Sequence, residues 1–134
     1  PDSLREHLAI ALGYSASILG RTASIVAFRD AVPWLDAAID QISANAALLS
    51  ELLAEHVPGA RYTPPRASYL AWIDLREAGL GADPAQRILD DARVFASDGA
   101  LFGEVGAGHI RLNLGCSTEV LREAITRIGR IASQ

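Results

Sequence analysis

At 134 residues, half of them apolar, the chain is the size of one domain and can bury about two thirds of the surface its unfolded form exposes. A net charge of −4 offers no basic stripe to a nucleic acid. No apolar run reaches the ~18–20 residues that cross a bilayer, and a single cysteine, Cys116, rules out an internal disulfide framework and suits a reducing cytosol, the expected location. Two absences narrow the chemistry. There is no methionine and the sequence starts at Pro1, so it reads as a piece of something longer. There is also no lysine, all twelve basic residues being arginine, so chemistry that needs a lysine amine, such as a Schiff base, cannot be carried by this chain alone.

In chain order, "SLREHLAIALG" repeats Leu4, Leu8 and Leu12 and stops at Gly13, a helix-like pattern. "ASILGRTASIVAFRDA" predicts a second helix starting near Ser15 or Ser17. From Pro33 to Val57 the residues Leu35, Ile39, Ile42, Ala46, Leu49 and Leu53 form one stripe at alternating spacings of four and three, widened by Leu48 and Leu52. Some ~24 residues at about 1.5 Å each give a helix of roughly 36 Å, long enough to join two bodies of structure. Pro58-Gly59 ends it.

Beyond Pro58 the pattern shortens. "SYLAWIDL" is nearly all apolar and predicts a strand buried on both faces. A helix follows with Asp83 as N-cap, Pro84 at its first position and Gln86 closing a capping box. "VFASDGALF" reads as a strand broken at Asp98-Gly99, and "GEVGAGHIRLNLG" as a glycine-rich turn entering another strand. The last helix takes Ser117 or Thr118 as its cap and Val120, Leu121, Ala124, Ile125, Ile128 and Ile131 as its buried face. The expected class is α+β: helices first, then a small sheet with helices packed on it.

Few residues suggest chemistry. Gly103, Gly106 and Gly108 reverse the dinucleotide spacing and precede a strand, so a mobile turn suits them better than a phosphate cradle. Ser15 in "GYSAS" lacks the strand–turn–helix setting of a nucleophile elbow and reads as a helix cap. His7, His56 and His109 are too scattered for a metal site. Cys116, just ahead of the last helix, is either a thiol acidified by the helix dipole or a small buried apolar residue. Trp34 and Trp72 read most simply as core. In the last strand, alternation sets Ile110, Leu112 and Leu114 against His109, Arg111 and Asn113. Arg111 is then either a solvated or salt-bridged surface charge, or a rigidly held fork for a carboxylate, with Asn113 beside it.

The stretches "SASILGRTASIVAFRDAVPWLDAAIDQISANAALLSELL", "PRASYLAWIDLR" and "ARVFASDGALFGEVGAGHIRLNLGC" resemble the C-terminal part of pyridoxal-phosphate enzymes of fold type I. Within the class I/II aminotransferase-like group the likeness is to cystathionine β-lyases of the MalY/PatB kind, which are C–S β-lyases. The most specific pieces are Trp34-Leu35-Asp36 with Asn45, the run from Tyr69 to Asp74, and Gly99, Phe102-Gly103 and Arg111-Leu112-Asn113. One departure is Cys116-Ser117-Thr118, where the pattern has Cys-Pro-Arg; this touches a cap rather than the chemistry.

The resemblance implies that residues 1–32 are a helical remnant of a large cofactor-binding domain, 33–57 a connecting helix, and 58–134 the small C-terminal domain. It implies that Arg111 binds the α-carboxylate of an amino-acid substrate and that the loop at 99–108 lies near the substrate entrance. No catalytic, cofactor-binding or metal-binding residue is expected in this chain; pyridoxal phosphate belongs to the full-length parent, a lyase or transaminase. The implied partners are the amino-acid substrate, the missing large domain and a second copy in a homodimer, and apolar surface on residues 1–57 is expected to favour self-association. The alternative is a stand-alone, non-catalytic module for association or for binding a small carboxylate.

Overall fold

The structure, a computed structural model, describes residues 17–132; the predicted helix at 3–13, His7 and Ser15 lie outside them. Ser17 caps the first described helix, α1 (Ile18–Asp30), its hydroxyl accepting the Gly20 N–H at 3.3 Å. None of the α1 side chains is buried. The long helix α2 runs from Val32 to His56. The chain divides into two units, Pro1–Ala37 and Ala38–Gln134, and the division falls inside α2. The predicted stripe is buried in the second unit, at Ala46, Leu49, Leu52 and Leu53, while Leu35 and Ile39 are half exposed and Trp34, predicted as core, is 72% exposed.

The second unit carries a four-stranded antiparallel sheet of β1 (Arg61–Tyr62), β2 (Leu70–Asp74), β3 (Ser97–Asp98) and β4 (His109–Asn113), in the order β1-β2-β4-β3. The β2–β4 register pairs Trp72 with Arg111 and Ile73 with Ile110. Ala71, Ile73, Ile110 and Leu112 therefore share one face and join the buried cluster with Leu49, Leu53 and Val57 of the α2 end. Leu70, Trp72, Asp74, His109, Arg111 and Asn113 share the other. The expectation that β2 is buried on both faces is corrected: its burial alternates, and Trp72 is 40% exposed. Apolar composition hid the alternation because Trp72 is itself apolar.

Asp83 caps α3 (Pro84–Arg87), accepting the Gln86 N–H at 3.0 Å, but the Gln86 amide reaches forward to Asp90 at 2.9 Å. The box is thus half made, and the chain widens into a π turn over Ile88–Ala92. The strand predicted through "VFASDGALF" shrinks to Ser97–Asp98. Asp98 accepts the Ala100 N–H at 3.0 Å and winds Gly99–Phe102 into a 3₁₀ turn, so its side chain competes with the ladder. The last helix, α4 (Thr118–Ala132), is capped by Ser117, whose hydroxyl accepts the Val120 N–H at 3.4 Å. Leu121, Ile125, Ile128 and Ile131 are buried as predicted; Val120 is exposed and Ala124 only partly buried.

Among the described residues one polar side chain, that of Asn45, is fully buried. Asn45 donates to the carbonyls of Leu114 at 3.0 Å and Cys116 at 2.8 Å, and its oxygen accepts from Gln41 and Thr118 at 3.2 Å each. Both donors and both lone pairs are used, so its burial carries no unsatisfied group. The bonds tie α2 to the turn that ends β4, and so fix the end of the strand that bears Arg111. Among the described residues no helix is long and apolar enough to cross a membrane.

Candidate functional site

Arg111 lies mid-strand on the face away from the core, half-buried. Its guanidinium carbon is 4.3 Å from the centroid of the Phe102 ring, and Nη2 donates to the Ser97 hydroxyl at 3.4 Å. The only other partly buried arginine among the described residues is Arg87, which is occupied by Asp91 and by the carbonyls of Gly79 and Ile131. Arg111 has no carboxylate partner among the described residues. A planar cation on a rigid strand, with most of its donors unspent, is suited to bidentate capture of an oxyanion.

Three residues frame it. Trp72, across the ladder, makes an edge contact with Phe102 at 5.8 Å between centroids and stacks on His109 at 5.4 Å. His109 approaches Asp74, Nε2 to carboxylate, at 3.8 Å, and its Nδ1 lies 3.1 Å from the Ala107 carbonyl. Arg76 donates to both Asp74 oxygens, at 2.9 and 2.6 Å, and these bonds hold the Asp74 carboxyl well below the usual carboxylate range. Asn113 is not brought to Arg111 as a partner: its side-chain oxygen accepts the Gly115 N–H at 2.7 Å in a local turn. Trp72, read as core, and Phe102 are the neighbours missed from sequence. Alternation could not single out Trp72, since Ala71 and Ile73 beside it are also apolar, and its pairing with Arg111 depends on the β2–β4 register.

The glycine-rich loop is packed against the protein at Gly106 and Gly108, whereas Gly103 faces open space. A Cβ on Gly106 would fall 2.1 Å from the Gly99 carbonyl oxygen, one on Gly99 would fall 2.3 Å from that of Gly106, and one on Gly108 would meet the Arg76 side chain. The two glycines let the backbones of the 99–102 and 104–106 turns touch, which no larger residue permits. Cys116 is half-buried, and burial pushes its thiol up, so the structure gives no sign of a dipole-activated nucleophile. His56 is beside Glu55 at 3.8 Å. Among the described residues no group of three or more His, Cys, Asp or Glu side chains is placed to hold a metal ion. A cleft of about 550 Å³, lined by Val94, Phe95, Leu112, Cys116, Val120 and Ala124 among others, does not include Arg111.

No protein-family model matches the chain. Individual relatives do. It is 38% identical over 132 residues to a candidate cystathionine β-lyase of Mycobacterium leprae (strain TN), covering 89% of this chain and 33% of that protein. It is 36% identical over 108 residues to cystathionine β-lyase PatB of Bacillus subtilis (strain 168), covering 80% and 28%. A crystal structure of a candidate PLP-dependent β-cystathionase from Corynebacterium diphtheriae superposes with a TM-score of 0.91 at 36% identity, over all of this chain and 36% of that one. The small antiparallel sheet with its long helix is thus the architecture of pyridoxal-phosphate enzymes of fold type I. The chain matches the C-terminal part of class I/II aminotransferase-like enzymes of this fold, with MalY and PatB-type cystathionine β-lyases among its relatives. It spans about a third of the length of the curated relatives it matches.

The residues present do not fit the covalent anchoring of that cofactor. The imine that joins pyridoxal phosphate to its enzyme needs a lysine, and these 134 residues contain none.

Proposed function

We propose that the chain supplies the substrate-gripping part of a pyridoxal-phosphate C–S β-lyase or aminotransferase acting on amino acids of the cystathionine type, with Arg111 receiving the α-carboxylate. One observation carries this reading. Arg111 is half-buried on a strand interior, beside an exposed aromatic pair, with no carboxylate partner among the described residues. Placing a cation there costs desolvation, and a ligand carboxylate offsets it. In this reading residues 1–32 belong with a large cofactor-bearing domain, 33–57 connect it, and 58–134 form the small domain. The Schiff-base lysine comes from outside these residues, and the assembled enzyme is a cytoplasmic homodimer.

The test is Arg111→Lys in the full-length enzyme. Lysine keeps the charge but loses the planar fork, and a charge-assisted contact of about 1.5–3 kcal/mol should be lost, raising KM by about 10- to 150-fold. Steady-state kinetics with an amino-acid substrate measure it, and unchanged parameters overturn the assignment. The missing lysine also motivates a second reading, a stand-alone module that binds a small carboxylate without catalysis. Calorimetry of the 134-residue chain against amino acids decides that one: saturable heat that Arg111→Lys abolishes supports it, and no heat rejects it.

A further inference from the structure

A guanidinium has two flat faces and an N–H edge, and only the edge donates hydrogen bonds. At Arg111 the guanidinium carbon lies over the Phe102 ring, 4.3 Å from its centroid. A phenyl ring accepts no ordinary hydrogen bond, so this contact restrains the group without satisfying its donors in the usual way; the donor bond that is made, to Ser97, is a long one. The ring is itself held. Trp72 meets it edge-on, at 77° between planes, and Phe102 ends a 3₁₀ turn whose first residue, Gly99, packs backbone to backbone on Gly106. Yet Phe102 is half exposed, so little of its surface contributes to the core. The turn is closed by hydrogen bonds from Gly103 to Ala100 and from Gly106 to Gly103, of 3.2 and 2.9 Å. A well-anchored aromatic side chain on the outside of the fold, spent mainly on one arginine, calls for a reason beyond stability.

We propose that Phe102 is a positioning residue for carboxylate recognition: its ring sets the plane of the Arg111 guanidinium and leaves the N–H edge open to the ligand. The proposal rests on the reading of Arg111 as the carboxylate-binding group. Removing the ring frees the guanidinium to sample other orientations, and that freedom must be lost again on binding.

The experiment compares Phe102→Leu, Phe102→Tyr and Arg111→Lys in the full-length holoenzyme. Calorimetry gives the Kd of an amino acid and of the amine that lacks its carboxylate. Phe102→Leu should weaken the amino acid by about 3- to 10-fold and leave the amine unchanged, while Phe102→Tyr, which keeps the ring, should stay within about twofold of the parent. Equal weakening of both ligands by Phe102→Leu, no weakening at all, or failure of Phe102→Tyr to hold affinity overturns the proposal. Arg111→Lys separates the two levels. If it weakens the amino acid and Phe102→Leu does not, only the positioning role falls. If Arg111→Lys also has no effect, the carboxylate reading falls with it.

Discussion

Along β4, Ile110 and Leu112 share a backbone with His109, Arg111 and Asn113 but meet opposite surroundings. The first pair is buried, against Ala71 and Ile73 of β2 and the end of α2. The second set, with Trp72 and Asp74 across the ladder, keeps contact with water and spends its contacts on rings and ions. One face supplies the free energy that holds the strand straight, and the other uses that straightness to hold a cation. A surface loop would present the same arginine with far more freedom. Substitutions on the two faces should therefore separate stability from binding.

The largest effect is expected on the core face. Ile110 is 1% exposed, and Ile110→Ala should cost about 2–5 kcal/mol, the lost transfer free energy plus the cavity left behind. A denaturant midpoint measures it, and a loss below about 1 kcal/mol would mean the sheet can collapse onto the gap. Arg111→Lys should do the converse: stability should stay within about 0.5 kcal/mol while amino-acid binding weakens as described above. If stability falls with affinity, Arg111 is part of the fold and the division between faces fails.

Much of this was legible in the sequence, for reasons particular to each element. The α2 and α4 stripes repeat at helical spacing over many residues, and Ser17, Asp83 and Ser117 all cap as their residue types suggest. Alternation placed Arg111 opposite Ile110 and Leu112 because charged and apolar residues differ sharply there. It failed in β2, where Ala71, Trp72 and Ile73 are all apolar and only burial tells them apart. Phe102 could not be assigned to Arg111 either, because it gets there through a 3₁₀ turn set by one Asp98 hydrogen bond. Asn45 reads as a polar interruption of an apolar stripe; its partners lie 69 and 71 residues on, at Leu114 and Cys116, and only the fold brings them together.

The smallest effect sharpens the comparison at the edge of the face that bears Arg111. Asp74 is bound by Arg76 through two side-chain bonds and by the Arg76 N–H at 3.1 Å, with His109 nearby. The Arg76 bonds, more than any other cause, lower its folded-state pKa below the ordinary value of 3.8. Above that ordinary value the carboxylate is ionised in both folded and unfolded chains, and its contribution to stability is fully present. As pH falls below it, the unfolded chain takes up the proton first, so the contribution declines through the window down to the lowered folded-state value. Asp74→Asn should remove this part of the acid limb. Thermal midpoints of the two proteins should converge as pH drops below about 4, the variant being the less stable at neutral pH by a small margin because Arg76 is largely exposed. Other lowered carboxylates, among them Glu119 and Glu123, shape the acid limb of both proteins alike, so the difference between the curves isolates Asp74. Parallel curves would show that the Arg76 clamp adds nothing to the stability of the folded state.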